Sequence, residues 1–189
     1  FLGMSSTDYS HAHRDSYRRD LIDAYSLTGT TFSGAAGRLA YLYDFQGPCF
    51  TVDTACSSSL VALHCACRSL RTGESDTAVV GGVNLMLVPD LHVAFTKLGA
   101  VSPDGRSKAF DDGADGYGRG EGCVMIVLKR LSDAERDGDP ILALVRGTAT
   151  NQDGKSNGLT APNGLAQKRV IADALADAGL TPGDVSYLE

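Results

Sequence analysis

Tryptophan is absent from this chain of 189 residues. So is any run approaching the ~18 apolar residues that cross a bilayer, which excludes a helical membrane span. No charged-then-apolar leader opens the sequence, so no secretion signal is read. A basic excess is missing as well: 17 Lys and Arg stand against 23 Asp and Glu, for a net charge of -6. A nucleic-acid partner, which usually demands a basic face, is therefore not expected. Cysteine is too sparse and too unevenly placed for a disulfide scaffold. The five are Cys49, Cys56, Cys65, Cys67 and Cys123, an odd number without secretory context, and a reducing, cytoplasmic compartment fits better. Metal-ligand spacing is also lacking. Cys65 and Cys67 are separated by one residue and no C-x₂-C or H-x₃-H partner follows, so no metal is expected.

What is present is an alternation of strand-like and helix-like segments, which places the chain in the α/β class. Residues 8 to 27 are polar and read as a loop with a short helix. The segment 28–45 begins with small residues and continues in a helical apolar pattern. A turn at Gly47-Pro48 leads into a buried strand up to Ala55. Residues 57 to 71 form the strongest helix: Leu60, Leu63, Cys67 and Leu70 recur at helical spacing. Arg68 and Arg71 suit its C-terminal dipole and Gly73 its end. The run 77–88 reads as a strand buried on both faces, with Gly81-Gly82 marking a bulge or a close backbone approach. Residues 99 to 122 carry too many glycines among charges for a regular element. A strand over 123–131, a short helical connection, a strand from Pro140 into a polar turn, a helix over 163–180 and a final strand at 181–189 complete the pattern.

The chemistry concentrates at "VDTACSSSLVALHCACRSL", residues 52 to 70. A strand, a sharp turn and then Cys56 at the first turn of a helix is a nucleophile geometry. Unpaired backbone N–H groups and the positive helix end favour thiolate there, and the same groups can hold a developing oxyanion. Against this stands the small, buried, inert cysteine that packs as a hydrophobe. Core packing is the expectation for Cys65 and Cys67, inside the helix, and for Cys49 and Cys123, in strands. No base is evident. His64 lies eight residues past Cys56, about 12 Å along a helix, too far to reach the sulfur. His92 opens a new segment, while His11 and His13 sit in a polar stretch where surface exposure is expected.

At this stretch the sequence resembles the ketosynthase domain of type I polyketide synthases. The resemblance extends over the whole chain, through "TGTTFSGAAGRLAY", "AVVGGVNLML", "SPDGRSKAFDDGADGYGRGEG" and "VRGTATNQDGKSNGLTAPNG". Ala40, where serine is commoner, and Cys49, which replaces a small residue, depart from the pattern without evident consequence. The resemblance implies a thiolase-like five-layer fold (helix, sheet, helix, sheet, helix), only partly contained here. Residues 1–136 would be the later part of its N-terminal half and 137–189 the start of its C-terminal half. Both ends read as cut.

It further implies that Cys56 accepts an acyl chain from the phosphopantetheine arm of an acyl carrier protein. A malonyl-type extender then loses carbon dioxide, and its enolate lengthens the chain by Claisen condensation. The arm belongs to the carrier, so no directly bound cofactor is expected. The family's two catalytic histidines would lie past Glu189. Asp115 and Glu121, in the glycine-rich loop, and Thr160 and Pro162, in "NQDGKSNGLTAPN", become candidates for substrate binding, although a solvent loop and a plain turn explain them equally well. Expected partners are the carrier protein, an acyltransferase and other synthase domains, and a second copy in a homodimer. Two other readings stay open: a different cysteine acyltransferase of the same fold, such as a fatty acid synthase ketosynthase, and a non-catalytic fragment.

Overall fold

The computed structural model describes residues 1–14, 20 and 22–189. Part of the expected loop-and-short-helix stretch at 8–27 therefore lies outside the described residues, as does the side chain of His13. The chain divides into two compact units, residues 1–62 with 79–126, and residues 63–78 with 127–189.

A four-stranded sheet in the order β2-β1-β3-β4 has most of its residues in the first unit. Its strands are β1 (Leu2–Gly3), β2 (Thr51–Val52), β3 (Thr77–Asn84) and β4 (Gly122–Lys129). Strand β1 is parallel to both neighbours, with Leu2 opposite Thr51 and Gly81, and Gly3 opposite Val52 and Gly82. Two residues in a sheet centre leave no periodicity to read, so β1 is absent from the expected elements. Helices α1 (Asp8–Arg14), α2 (Ala24–Thr30) and α3 (Phe32–Tyr43) follow β1. The single helical stretch expected at 28–45 is interrupted at Thr31, whose backbone is extended (φ -82, ψ 145). The long strand expected before Cys56 is confined to two residues, and Cys49 lies exposed before it.

Strand β3 stops at Asn84, short of the expected residue 88, because side chains replace its ladder. Glu121 accepts the N–H of Met86, and the fully buried Asp8 accepts those of Leu87 and Val88. A buried carboxylate needs such donors. Helix α5 (Asp90–Lys97) follows and contains His92.

Helix α4 (Ser58–Arg71) starts in this unit. Its first turn lies directly on the sheet. A Cβ added to Gly3 would come within 2.4 Å of Ser59 N and 2.5 Å of the Ser58 carbonyl carbon. A Cβ on Gly82 would come within 2.8 Å of Ser59 Cβ. The helix start is accordingly small on its buried face, at Ser58 and Ala62; further along, in the second unit, Ala66, Cys67, Ser69 and Leu70 are buried. Leu60, expected on that face, is 68% exposed.

In the second unit, Arg130 ties segments together. Its guanidinium donates to the carbonyls of Leu70 (2.9 Å) and Ser75 (2.7 Å) and pairs with Asp76 and Asp133. Helix α6 (Leu131–Asp137) is followed by an irregular segment, then by α7 (Gly164–Ala178), which the Asn163 side chain caps by accepting from Leu165 N and Ala166 N. The segment from Pro140, expected as a strand, is not one: among the described residues it pairs with no ladder partner. Its polar groups turn to α7 instead. Thr148 N donates to Asp177 (2.8 Å), and Asn151 Nδ2 donates to Ala166 O (2.7 Å). The final strand expected at 181–189 is likewise replaced by a 3-10 turn, Pro182–Asp184, followed by chain that joins no strand among the described residues. Leu142, Leu144, Tyr187 and Leu188 stay exposed.

One substitution at two glycines separates close approach from mere flexibility. Gly3→Ala forces the first turn of α4 off the sheet and lowers stability by about 1–3 kcal/mol. Gly37→Ala, at a helical site with nothing within 4 Å, raises stability by about 0.5–1 kcal/mol. Urea midpoints of the complete protein measure both, and the same sign for the two would contradict the packing described.

Candidate active site

Cys56 lies in a one-turn 3-10 helix, Ala55–Ser57, between β2 and α4. The thiol is exposed. Ala55, just before it, has φ 57, the left-handed region, which costs an L-residue about 1 kcal/mol. Each neighbour in "DTACSSS" helps to hold that bend. Asp53 Oδ1 accepts from Ala55 N at 2.9 Å. The Ser57 hydroxyl donates to Thr54 O at 2.9 Å and lies 2.8 Å from Thr54 Oγ1. Ser58 Oγ accepts from Thr54 N (2.9 Å) and donates to Ala55 O (2.7 Å) while buried to 4% exposure. Ser59 is the residue that packs on Gly3 and Gly82.

The other cysteines separate from Cys56. Cys67 is buried, and burial pushes its thiol up, keeping it protonated. Cys65 is half-buried. Cys49 and Cys123, expected in the core, are exposed: Cys49 lies before β2 rather than in a strand, and six of the eight residues of β4 are exposed. His64 is engaged elsewhere, with Nδ1 2.9 Å from Thr148 Oγ1 in the second unit.

The glycine-rich loop is ordered by a charge cluster around Ser102, which is 3% exposed. Its hydroxyl bonds to Asp104 Oδ1 (2.6 Å) and Asp115 Oδ1 (2.9 Å) and receives Lys108 Nζ (3.0 Å). Lys108 also pairs with Asp104 (2.9 Å) and Asp115 (2.8 Å). The Lys108 ammonium and the Ser102 hydroxyl hold the Asp104 carboxyl down at about 2 and lower that of Asp115. Gly116, at φ 136, lets the chain pass against Val101 and Ser102, where a Cβ would come within 2.5 Å of Ser102 N. Glu121 closes the loop on Met86 N. Asp115 and Glu121 thus both bond inside the first unit.

Thr160 and Pro162 belong to the second unit. There Pro162 lines a surface pocket of about 470 Å³ with Lys155, Asn157, Asn163 and Lys168, while Thr160 is not among its lining residues. Among the described residues no group of three His, Cys, Asp or Glu side chains could hold a metal ion, and no helix is long and apolar enough to cross a membrane.

Comparison with known proteins decides the family. Residues 1–134 match the family described as "Beta-ketoacyl synthase, N-terminal domain", and residues 142–189 match "Beta-ketoacyl synthase, C-terminal domain". The chain belongs to the beta-ketoacyl synthase family. It is 56% identical over 188 residues to one of the phenolphthiocerol/phthiocerol polyketide synthase proteins of Mycobacterium tuberculosis (strain CDC 1551 / Oshkosh), covering 100% of this chain and 10% of that protein. It is similar to the oxazolomycin ketosynthase domain OzmH KS7 of Streptomyces albus JA3453, with TM-score 0.92 and 43% identity over 100% of this chain and 33% of the other. The ketosynthase from module 6 of the bacillaene synthase of Bacillus subtilis 168 gives TM-score 0.90 and 41% identity over 100% of this chain and 32% of the other. The chain therefore spans about a tenth of that curated relative and about a third of each solved ketosynthase, and its fold is thiolase-like.

Within this beta-ketoacyl synthase chain, two contributors to the Cys56 turn escaped sequence reasoning. Gly3 carried no periodic signal, and Ser58 was one serine among three. The only available clue was Gly81-Gly82, already readable as a close approach.

The loop cluster has a pH signature. Asp104 and Asp115 have lowered folded pKa values, so their contribution is present above the ordinary value of 3.8 and is lost as pH falls toward about 2. Lys108 is raised above 10.5, so its contribution is lost only as pH rises through that raised value. Hydrogen exchange of amides 102–118, corrected for intrinsic rates, should stay flat from about pH 9 to 4 and accelerate below. Lys108→Met should raise exchange already at pH 7. Equal exchange in variant and wild type at pH 7 would contradict the cluster's role.

Proposed function

We propose that this chain carries the acyl-accepting centre of a polyketide ketosynthase, with Cys56 as its nucleophile. The observation that supports this most is the exposed Cys56 thiol on a strained, serine-braced turn at the start of α4, in a chain of the beta-ketoacyl synthase family. The thiolate of Cys56 attacks the thioester carbonyl of an acyl chain borne by a carrier protein's phosphopantetheine arm. The Cys56 N–H donates to the oxyanion, and the arm leaves as a thiol. A malonyl-type extender on a carrier protein then decarboxylates, and its enolate attacks the Cys56 thioester. The product is a β-ketoacyl chain longer by two backbone carbons.

In this reading the groups that promote decarboxylation come from outside residues 1–189. None of the chain's histidines takes that role. The first half of the thiolase-like fold runs through residue 136 and the second begins at 137. Asp115 and Glu121 serve the substrate pocket by holding its glycine-rich wall, and Thr160 and Pro162 contribute to the substrate passage. The working protein is a cytoplasmic homodimer that engages a carrier protein, an acyltransferase and other synthase domains. Multidomain relatives of the kind found here support the presence of such neighbours.

The test is covalent capture. The complete protein is incubated with an acyl-phosphopantetheine carrier protein and digested, and the peptide containing Cys56 is weighed. The expected result is an acyl adduct on Cys56 that disappears in Cys56→Ala. Absence of any adduct on the complete wild-type protein would overturn the ketosynthase reading.

A further inference from the structure

We infer that Ser58 is a positioning residue that aims the Cys56 N–H at the oxyanion formed during acyl transfer; this rests on the nucleophile reading above. The argument starts from the peptide between Ala55 and Cys56. A trans peptide is planar, so its C=O and N–H point in opposite directions. Whatever fixes the Ala55 carbonyl fixes the direction of the Cys56 N–H. Ser58 Oγ donates to that carbonyl at 2.7 Å. The same oxygen accepts from Thr54 N at 2.9 Å. One hydroxyl therefore ties Thr54 N, one residue upstream, to the carbonyl of Ala55, the residue with φ 57.

Neither of the adjacent serines can substitute for it. Among the described residues Ser57 bonds to Thr54, and Ser59 packs against the glycines of the sheet. Ser58 is 4% exposed, so water does not readily replace its hydroxyl, and without the hydroxyl the Ala55–Cys56 peptide is free to rotate toward less strained geometry. The thiol would remain exposed, but the donor beside it would point elsewhere.

The acylation step shows why aim matters. The Cys56 sulfur forms a bond to the thioester carbon, and the carbonyl π pair moves onto oxygen. The oxyanion then collapses, the carbon–sulfur bond to the phosphopantetheine breaks, and the departing thiolate takes a proton from solvent. Only the intermediate carries charge on that oxygen, so a correctly aimed N–H acts chiefly there. Alkylation by iodoacetamide, in contrast, is a displacement at carbon that releases iodide and develops no oxyanion.

The two reactions of one thiol therefore separate aim from general integrity. In the complete protein, Ser58→Ala should slow acylation of Cys56 by an acyl-phosphopantetheine thioester about 10- to 100-fold. Alkylation of Cys56 by iodoacetamide, followed by peptide mass mapping, should stay within about 2-fold, as a correctly aimed oxyanion donor is not needed for it. Ser58→Thr, which keeps the hydroxyl, should recover acylation. If the alanine variant does not fold, Ser58→Cys, which keeps the shape with a weaker hydrogen-bonding group, is read by the same ratio. Parallel loss of both reactions, or unchanged acylation, would overturn the assignment of Ser58. Failure of the wild type to be acylated would instead count against the nucleophile reading itself.

Discussion

The contact on which the rest of the first unit depends is that of the first turn of α4 with Gly3 and Gly82. These two glycines face the same side of adjacent strands, in register across the β1–β3 pair. A Cβ at either position would meet Ser58 or Ser59. The absence of side chains there lets the helix start lie on the strands themselves, rather than on a layer of side chains. Close approach suits the small residues of the helix start, where Ser58 is buried and Ala62 fully so. It also fixes the height at which Cys56 emerges. The opposite face of Gly81 is occupied by Met125, so the glycine pair serves packing on both sides of β3.

Strain and its restraint are divided among neighbouring residues. Ala55 holds a left-handed backbone, and such conformations persist only where surrounding bonds over-determine them. Here the bonds come from Asp53, Ser57 and Ser58. A similar economy operates in the glycine-rich loop. Gly116 supplies a backbone conformation and a close approach, while Ser102, Asp104, Lys108 and Asp115 supply the bonds that hold it. These charges are exposed enough for salt to weaken them, so the loop rests on the buried Ser102 hydroxyl as well as on ion pairing.

Much of this was legible from residues alone. The helix expected over 57–71 is observed over Ser58–Arg71, and the helix over 163–180 as Gly164–Ala178. Both carry strong periodicity and clear end signals. Of the two meanings of Gly81-Gly82, a bulge or a close approach, the structure shows the close approach. Cys56 stood out because a strand, a turn and a helix start met there. Expectation and structure parted where tertiary bonds replace local ones. Residues 85–88 look like strand by composition, but Glu121 and Asp8 take the N–H groups of Met86, Leu87 and Val88. Pro140 onward looks like strand too, yet strand is a pairing and no paired neighbour is present among the described residues. The helical period alone puts Leu60 inward, whereas the glycines draw the small face of the helix start toward the sheet. No local pattern could announce a two-residue β1 or single out Ser58 from its neighbours.

The central claim is that the turn before α4 presents Cys56 and its own N–H to an acyl thioester. A crystal structure of the complete protein, trapped with an acyl group, tests it most directly. The account predicts acyl carbon bonded to Cys56 Sγ, with its carbonyl oxygen about 2.9 Å from Cys56 N and the Ser58–Ala55 bond intact. An acyl group on any other residue, or a carbonyl oxygen directed away from Cys56 N, would contradict it.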